Sequence, residues 1–299
     1  MLNIDRALKD DRLMRALTGL NRTAFEALLP SFEAAYRMQQ VLSKPERKRA
    51  LGGGRKPRLE SASAKLFYIL FYYKCYLTFD LAGILFDFDR SQAHEWMHGL
   101  QPVLEAALGA KQALPARKLR SMADFVRQFE GVERVMIDGT ERPMQRPQNP
   151  ERQQANYSGK KKRHTRKHLA AVDQGKRVLV LTKAREGKVH DKRLHDEDEI
   201  AGFIPTKIPI QVDSGFQGFQ ADYQNVELPH KKPRGGELTG VEIVENRQLS
   251  QSRVVCEHAF GGIKRDEAIS GIYRNRKPNF DDHLMLTATG LWNFYLEAA

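Results

Sequence analysis

Val132-Glu133-Arg134-Val135-Met136-Ile137-Asp138-Gly139-Thr140-Glu141-Arg142-Pro143 reads as a buried strand that stops on a carboxylate. Val135, Met136 and Ile137 form a short apolar run, and a charged residue directly after such a run sits where a site can open. Gly139 then lets the backbone turn. A lone Asp-Gly after a strand commonly does no more than cap a turn. Asp138 gains weight because the arrangement recurs: Ile208-Pro209-Ile210-Gln211-Val212-Asp213-Ser214-Gly215 is a second apolar strand ending in Asp and then in Gly. A third carboxylate, Glu257, follows in a segment of helical character.

That segment, 248–265, places its charges on one edge. At about 100° per residue, Ser250, Arg253, Glu257 and Lys264 cluster, while Val255 and Ala259 lie roughly opposite. Any amphipathic helix would separate its residues in this way, so the helix matters only together with the two strands. Between the strands, His168-Leu169-Ala170-Ala171-Val172-Asp173 and Arg177-Val178-Leu179-Val180-Leu181-Thr182 flank Gln174-Gly175-Lys176 and predict a hairpin paired to the first strand. The stretch 191–200 predicts a polar helix.

Two further stretches concentrate basic charge. Residues 151–167 hold Arg152, Lys160, Lys161, Lys162, Arg163, Arg166 and Lys167 against Glu151, with Tyr157 and His164 interleaved. Read as a loop, this suits a nucleic-acid backbone held beside the strand-end carboxylate, although a solvated hairpin has the same composition. Residues 225–246, with Lys231, Lys232 and Arg234, read as a second basic loop with little core. Across 299 residues the formal net charge is +12, which favours a polyanionic partner.

The N-terminal part is helical. Leu13, Leu17, Leu20, Phe25, Leu28 and Leu29 have helical spacing, with Thr23 as a candidate cap. Periodicity is lost over 43–58, where Lys44, Arg47, Lys48, Arg49, Arg55, Lys56 and Arg58 surround Gly52-Gly53-Gly54, so this stretch reads as a basic linker. Residues 61–76 predict a helix buried on nearly every side. Thr78 precedes a short helix, the turn Asp87-Phe88-Asp89-Arg90 follows, and a longer helix opens with Ser91 in a capping position. Short helix, tight turn and longer helix make a helix-turn-helix, which would aim Ser91, Gln92, His94 and Glu95 at a major groove. Pro102 is expected to kink or end the second helix, with packing resuming over 103–108. The final helix, 281–298, is expected to pack against the sheet.

At 41% hydrophobic content the chain can bury two cores. The expected division is 1–58 for N-terminal helices and linker, 59–125 for the helix-turn-helix, and 126–299 for the sheet. Cys75 and Cys256 are too few for a disulfide framework and read as packing residues. The longest apolar run, 66–73, is too short to span a bilayer, and the expectation is a soluble cytoplasmic protein.

Taken in order, Ile137-Asp138-Gly139-Thr140-Glu141-Arg142-Pro143, Tyr157-Ser158-Gly159-Lys160-Lys161-Lys162, Val212-Asp213-Ser214-Gly215-Phe216-Gln217-Gly218, and Asn246-Arg247 with 253–264 strongly resemble DDE transposases. The groups most similar are bacterial insertion-sequence transposases of the Harbinger-like branch. The resemblance covers most of 132–265, and 61–108 is similar to the helix-turn-helix that such proteins carry. It implies an α/β fold, with an RNase H-like mixed sheet flanked by helices, preceded by an all-α DNA-binding region. It also implies Asp138, Asp213 and Glu257 as a metal-binding triad. Arg253 and Lys264 stand where the family's glutamate helix has an arginine and a lysine, and Ser250 stands where it usually has a tyrosine.

Three carboxylates from two strands and a helix suit a pair of hard cations about 4 Å apart. Mg2+, with Mn2+ able to substitute, takes such oxygen ligands. The implied activity is cleavage of transposon ends and strand transfer, with double-stranded DNA as partner and a dimer or higher assembly, close to the bacterial nucleoid. Arg253, Lys264, Lys160, Lys161, Lys162, Arg163, Lys231 and Lys232 would hold DNA. The other classes are a catalytically silent DNA-binding regulator, which would have lost a triad carboxylate, and a nuclease that cuts without joining. All three carboxylates are present, so the sequence favours the enzyme.

Overall fold

The computed structural model describes residues 2–43, 45–46, 56–216 and 218–298. Most of the basic linker expected around Gly52-Gly53-Gly54 lies outside them. The chain divides into two compact units, 1–114 with 263–271 and 283–299, and 115–262 with 272–282.

The first unit is helical. It begins with α1 (Ile4–Lys9), α2 (Asp11–Thr18) and α3 (Arg22–Leu42). The cap of α3 is Asn21, whose side chain accepts from the Ala24 amide at 2.7 Å, so Thr23 falls inside the first turn instead of capping it. At the centre is α4 (Ala62–Cys75), capped by Ser61, with every residue from Lys65 to Tyr73 buried. An apolar surface on all sides demands neighbours on all sides, and each buried Phe or Leu side chain contributes about 1.5–3 kcal/mol. Even Lys65 is enclosed. Its ammonium donates to the Leu59 and Glu60 carbonyls at 2.7 Å each, and burial lowers its pKa.

The helix-turn-helix is formed by α5 (Phe79–Phe86) and α6 (Arg90–Ala110). Thr78 caps α5 as expected, and the turn leaves through Asp87 in the left-handed conformation. Gly83 is required here: a Cβ would meet the Phe88 carbonyl oxygen at 2.6 Å, so the turn closes only over a bare backbone. The Tyr68 hydroxyl donates to the Ala93 carbonyl at 2.8 Å and fastens α6 to α4. Two details differ from the sequence reading. Asp89 stands at the N-cap and Ser91 lies within the first turn, and α6 runs through Pro102 to Ala110 without ending there.

The second unit begins with α7 (Met122–Gln128). Its sheet contains β1 (Val135–Pro143), β2 (Tyr157–Ser158), β3 (Arg163–Asp173), β4 (Val178–Leu181), β5 (Arg185–Glu186), β6 (Ile210–Val212) and β7 (Val226–Glu227). Among the described residues the order is β2-β3-β1-β6-β7, with β4 and β5 also pairing β3. β1 pairs β3 antiparallel along its whole length and β6 parallel over three residues. This is a mixed sheet, as expected, with the predicted hairpin realised as β3 and β4. Consecutive buried residues in β1, β3 and β4 show that both faces are covered.

Helices α8 (Pro150–Asn156), α9 (Asp191–Asp198) and α10 (Phe219–Asp222) lie between strands, and α11 (Gly240–Ile263) follows β7. The expected basic loop over 151–167 is therefore mostly regular structure, because α8, β2 and β3 occupy it and only 159–162 turn between strands. Likewise α11 starts at Gly240, so the second basic loop is shorter than expected. Thr239 explains the earlier start: its amide and hydroxyl both donate to Glu242, at 2.7 and 2.8 Å, making a reciprocal cap.

After α12 (Glu267–Ser270), α13 (Phe280–Ala298) closes the chain. Its first turn belongs to the sheet unit, where Arg166 Nε donates to Asp281 at 2.7 Å and Arg117 Nη2 to Asp282 at 2.6 Å. From His283 onward it belongs to the helical unit. Gln101 donates to Thr287 at 3.2 Å, and Asn293 donates to the Ala113 carbonyl at 2.9 Å. The expectation that this helix packs against the sheet is thus corrected for most of its length: its apolar side completes the helical core. Among the described residues, no helix is long and apolar enough to cross a membrane.

Candidate active site

The parallel pairing of β1 and β6 aligns Ile137 with Val212, so Asp138 and Asp213, the next residues of each, stand side by side. β1 does not stop on Asp138, contrary to the sequence reading; it continues to Pro143 because β3 accompanies it all the way. The opening exists because β6 stops. At Asp213 the chain turns into a short 3-10 segment, 214–216, and the carboxylate Oδ1 accepts from the Gly215 amide at 2.7 Å and the Ser214 hydroxyl at 3.0 Å. Asp138 Oδ1 accepts from the Gly139 amide at 2.7 Å.

The two carboxylates differ in proton affinity. Burial raises the Asp138 pKa; the Gly139 amide and Arg253 oppose this, while the negative charges of Asp213 and Asp191 reinforce it. Burial also acts on Asp213, but there the Gly215 amide, the Ser214 hydroxyl, Arg253 and Lys160 outweigh it and leave the pKa below the usual value. Arg253 Nη2 stands 3.9 Å from Asp213 Oδ2. Its side chain faces Asp213, whereas the sequence reading gave it to DNA contact.

Glu257 lies one turn beyond Arg253 on α11 and is exposed. The buried Cys256 between them feels the charges of Asp138, Arg253 and Glu257, and burial pushes its thiol pKa up, so it packs as a neutral group. Among the described residues, no three His, Cys, Asp or Glu side chains stand close enough together to hold a metal ion. The structure therefore brings Asp138 and Asp213 together and leaves Glu257 outside them. Ser250 is exposed further up α11, and Lys264 is exposed in the segment that belongs to the helical unit.

Asp191 was missed by the sequence reading, which treated 191–200 as a polar helix. As the first residue of α9, it sets its carboxylate against β1: a Cβ on Gly139 would meet Asp191 Oδ1 at 2.6 Å. Lys167 Nζ stands 3.1 Å from Asp191 and 3.5 Å from Glu141, and donates to the Val189 carbonyl at 2.8 Å. Lys167 is thus a buried structural cation, not part of an exposed basic loop. The ion pair lacks hydrogen-bond alignment, and Asp191 Oδ1 is enclosed without a hydrogen bond. The signal available in sequence was an acidic residue in the first turn of a helix, which is common and explains itself without a site. Helix α9 is held by the buried His195, whose Nε2 accepts from the Ala201 amide at 2.8 Å.

A cavity of about 1180 Å³ opens beside Asp213 and Asp191. Lys160 lines it, and Lys161, Lys162 and Arg163 are exposed on the same turn. Lys231 and Lys232 do not line it; both are exposed, and Lys232 Nζ lies 3.6 Å from Glu237. On the helical unit Ser91, Gln92, His94 and Glu95 are exposed on α6, with the His94 ring edge-on to Phe79 at 5.2 Å.

Two aspartates set side by side by the parallel pairing of β1 and β6, preceded in the chain by a helix-turn-helix, agree with the comparisons. The profile of the DDE superfamily endonuclease matches residues 137–293, and that of the helix-turn-helix of DDE superfamily endonuclease matches 57–110. The chain belongs to the DDE superfamily endonucleases. A probable transposase for insertion sequence element IS702 from Microchaete diplosiphon is 25% identical over 285 residues, covering 95% of each chain. No solved structure matches. The fold of this DDE endonuclease is accordingly a helical helix-turn-helix region followed by a mixed sheet with helices, and family membership implies use of a divalent metal. The donors there suit one: Asp138 and Asp213 offer oxygen only.

Proposed function

We propose that this chain is a transposase, which binds the ends of a mobile element and cuts and joins DNA strands at Asp138, Asp213 and Glu257. The observation that carries the reading is the side-by-side placement of Asp138 and Asp213 where β1 pairs parallel to β6, faced by the Arg253 cation. Asp138 and Asp213 would hold Mg2+ or Mn2+, with Glu257 as the third carboxylate once its side chain turns from solvent toward the aspartates. When bound, such ions activate an oxygen nucleophile and stabilise the leaving oxygen of an in-line displacement at phosphorus.

The chain's own residues prepare that place. The Gly215 amide and Ser214 hydroxyl keep Asp213 ionised, and Arg253 balances the charge of two neighbouring carboxylates. Lys160, at the cavity edge, draws in a phosphate backbone. In the cutting step water oxygen bonds to phosphorus, the P–O3′ bond breaks, and the 3′ oxygen leaves as a hydroxyl. In joining, that 3′-hydroxyl oxygen bonds to a target phosphorus, loses its proton and displaces the target's own 3′ oxygen. DNA recognition is assigned to 59–125, with Ser91, Gln92 and His94 from α6 reading the end sequence, and catalysis to the sheet that follows 126. A dimer or higher assembly would pair two ends.

The test uses the full chain with a duplex carrying the end sequence of the element that flanks its gene. Asp138→Asn, Asp213→Asn and Glu257→Gln should each reduce Mg2+-dependent cleavage to background while retaining DNA binding. Near-normal cleavage by Asp213→Asn would overturn the assignment. Cleavage by the wild type without strand joining would make the protein a nuclease, and binding without cleavage a regulator.

A further inference from the structure

The cavity beside Asp213 holds an exposed aromatic ring among a polar lining. Its lining includes Asp213, Asp191, Lys167 and Glu141. From α8 and the segment after it, Gln153, Gln154, Tyr157 and His164 also line it. Tyr157, one of its lining residues, is 42% exposed. Its ring meets His164 edge-on, with centroids 5.6 Å apart, so one face of Tyr157 remains open to a partner. Gln153 is braced: its Oε1 accepts from Arg146 Nε and Nη2 at 3.0 and 2.8 Å, which fixes that wall. Gln154 is exposed beside it, carrying an amide with both donors and an acceptor. Lys160 and Lys188, both exposed, supply cations to the lining.

An open aromatic face, amides and cations in one cavity match an unpaired nucleotide. The ring stacks on a base, the Gln154 amide meets its edge, and the lysines meet the adjoining phosphates. Paired bases offer their edges and backbone but keep their faces inside the stack, so a duplex would leave Tyr157 unused. We propose that this cavity holds an unpaired nucleotide of the DNA strand whose phosphate lies at Asp138 and Asp213, stacked on Tyr157. The placement of that phosphate rests on the transposase reading, whereas the nucleotide site rests on the cavity lining alone.

The experiment measures fluorescence anisotropy of the full chain with a labelled short oligothymidylate and with an abasic strand of equal length, which has the same phosphates and no bases. The wild type should bind the base-bearing strand about 5- to 150-fold more tightly, the range expected for one stacked base. Tyr157→Ala should remove this preference while leaving abasic binding unchanged, and Tyr157→Phe should retain it. Equal binding of the two strands by the wild type, or a preference that survives in folded Tyr157→Ala, would overturn the proposal. Asp213→Asn should keep the preference. Loss of cleavage in that variant reports on the transposase reading independently of the nucleotide site.

Discussion

Gly139→Ala tests whether the Asp138 strand end is held by the Asp191 carboxylate packed against it. The alanine Cβ would lie 2.6 Å from Asp191 Oδ1 and 2.9 Å from Cγ, well inside contact distance. The carboxylate cannot simply swing away, because Lys167 sits 3.1 Å from it and is itself anchored to the Val189 carbonyl. Overpacking of this kind costs about 1–3 kcal/mol, while replacing glycine within a strand returns roughly 0.5–1 kcal/mol. A net loss of up to about 2.5 kcal/mol follows. Because Asp138 is the adjacent residue, a displacement near 1 Å would also lower cleavage by about 100-fold. Urea unfolding of wild type, Gly139→Ala, Asp191→Ala and the double variant isolates the contact. In the Asp191→Ala background the clash is gone, so the glycine substitution should cost nothing or stabilise slightly. A Gly139→Ala protein as stable as wild type, or a loss that is the same in both backgrounds, would refute the reasoning.

Asp266 sits at the start of α12 with no capping hydrogen bond, and burial raises its pKa to about 7 despite Lys74 and Arg265. Its folded-state pKa exceeds the unfolded value near 4, so its contribution is fully present below pH 4 and lost as pH rises through 7, by about 4 kcal/mol at most. Asp266→Asn should flatten this part of the stability profile and raise stability at pH 8; an unchanged profile in pH-dependent urea melts would disprove it. Neutralising Lys160, Lys161, Lys162 and Arg163 together should weaken DNA binding about equally for all sequences. It should also flatten the slope of log affinity against log salt by up to about 0.9 per lost contact, and an unaltered slope would mark the turn as merely solvated.

What the sequence by itself determined are features whose causes lie within a few neighbouring residues. Ser61 and Thr78 announce the starts of α4 and α5 because a cap acts on an amide three positions away. Gln174-Gly175-Lys176 announces the β3–β4 hairpin because a turn is local, and Val135-Met136-Ile137 announces a strand because burial on both faces needs a continuous apolar run. Asp138 and Asp213 were legible as carboxylates directly after apolar strand runs, although only Asp213 stands at a strand end. Tertiary structure decided what these residues meet. That Asp138 and Asp213 are neighbours depends on β6 pairing parallel to β1 and stopping one residue before Asp213, a register no local pattern encodes. The same holds for Arg253, which turned to Asp213, and for Lys167, which left the basic run to sit between Glu141 and Asp191. It holds too for α13, whose amphipathic pattern marks a buried face without naming the core that buries it. Apolar periodicity is a property of one segment, whereas an ion pair, a packed carboxylate or a choice of core is a property of two segments far apart in the chain, and only folding brings them together.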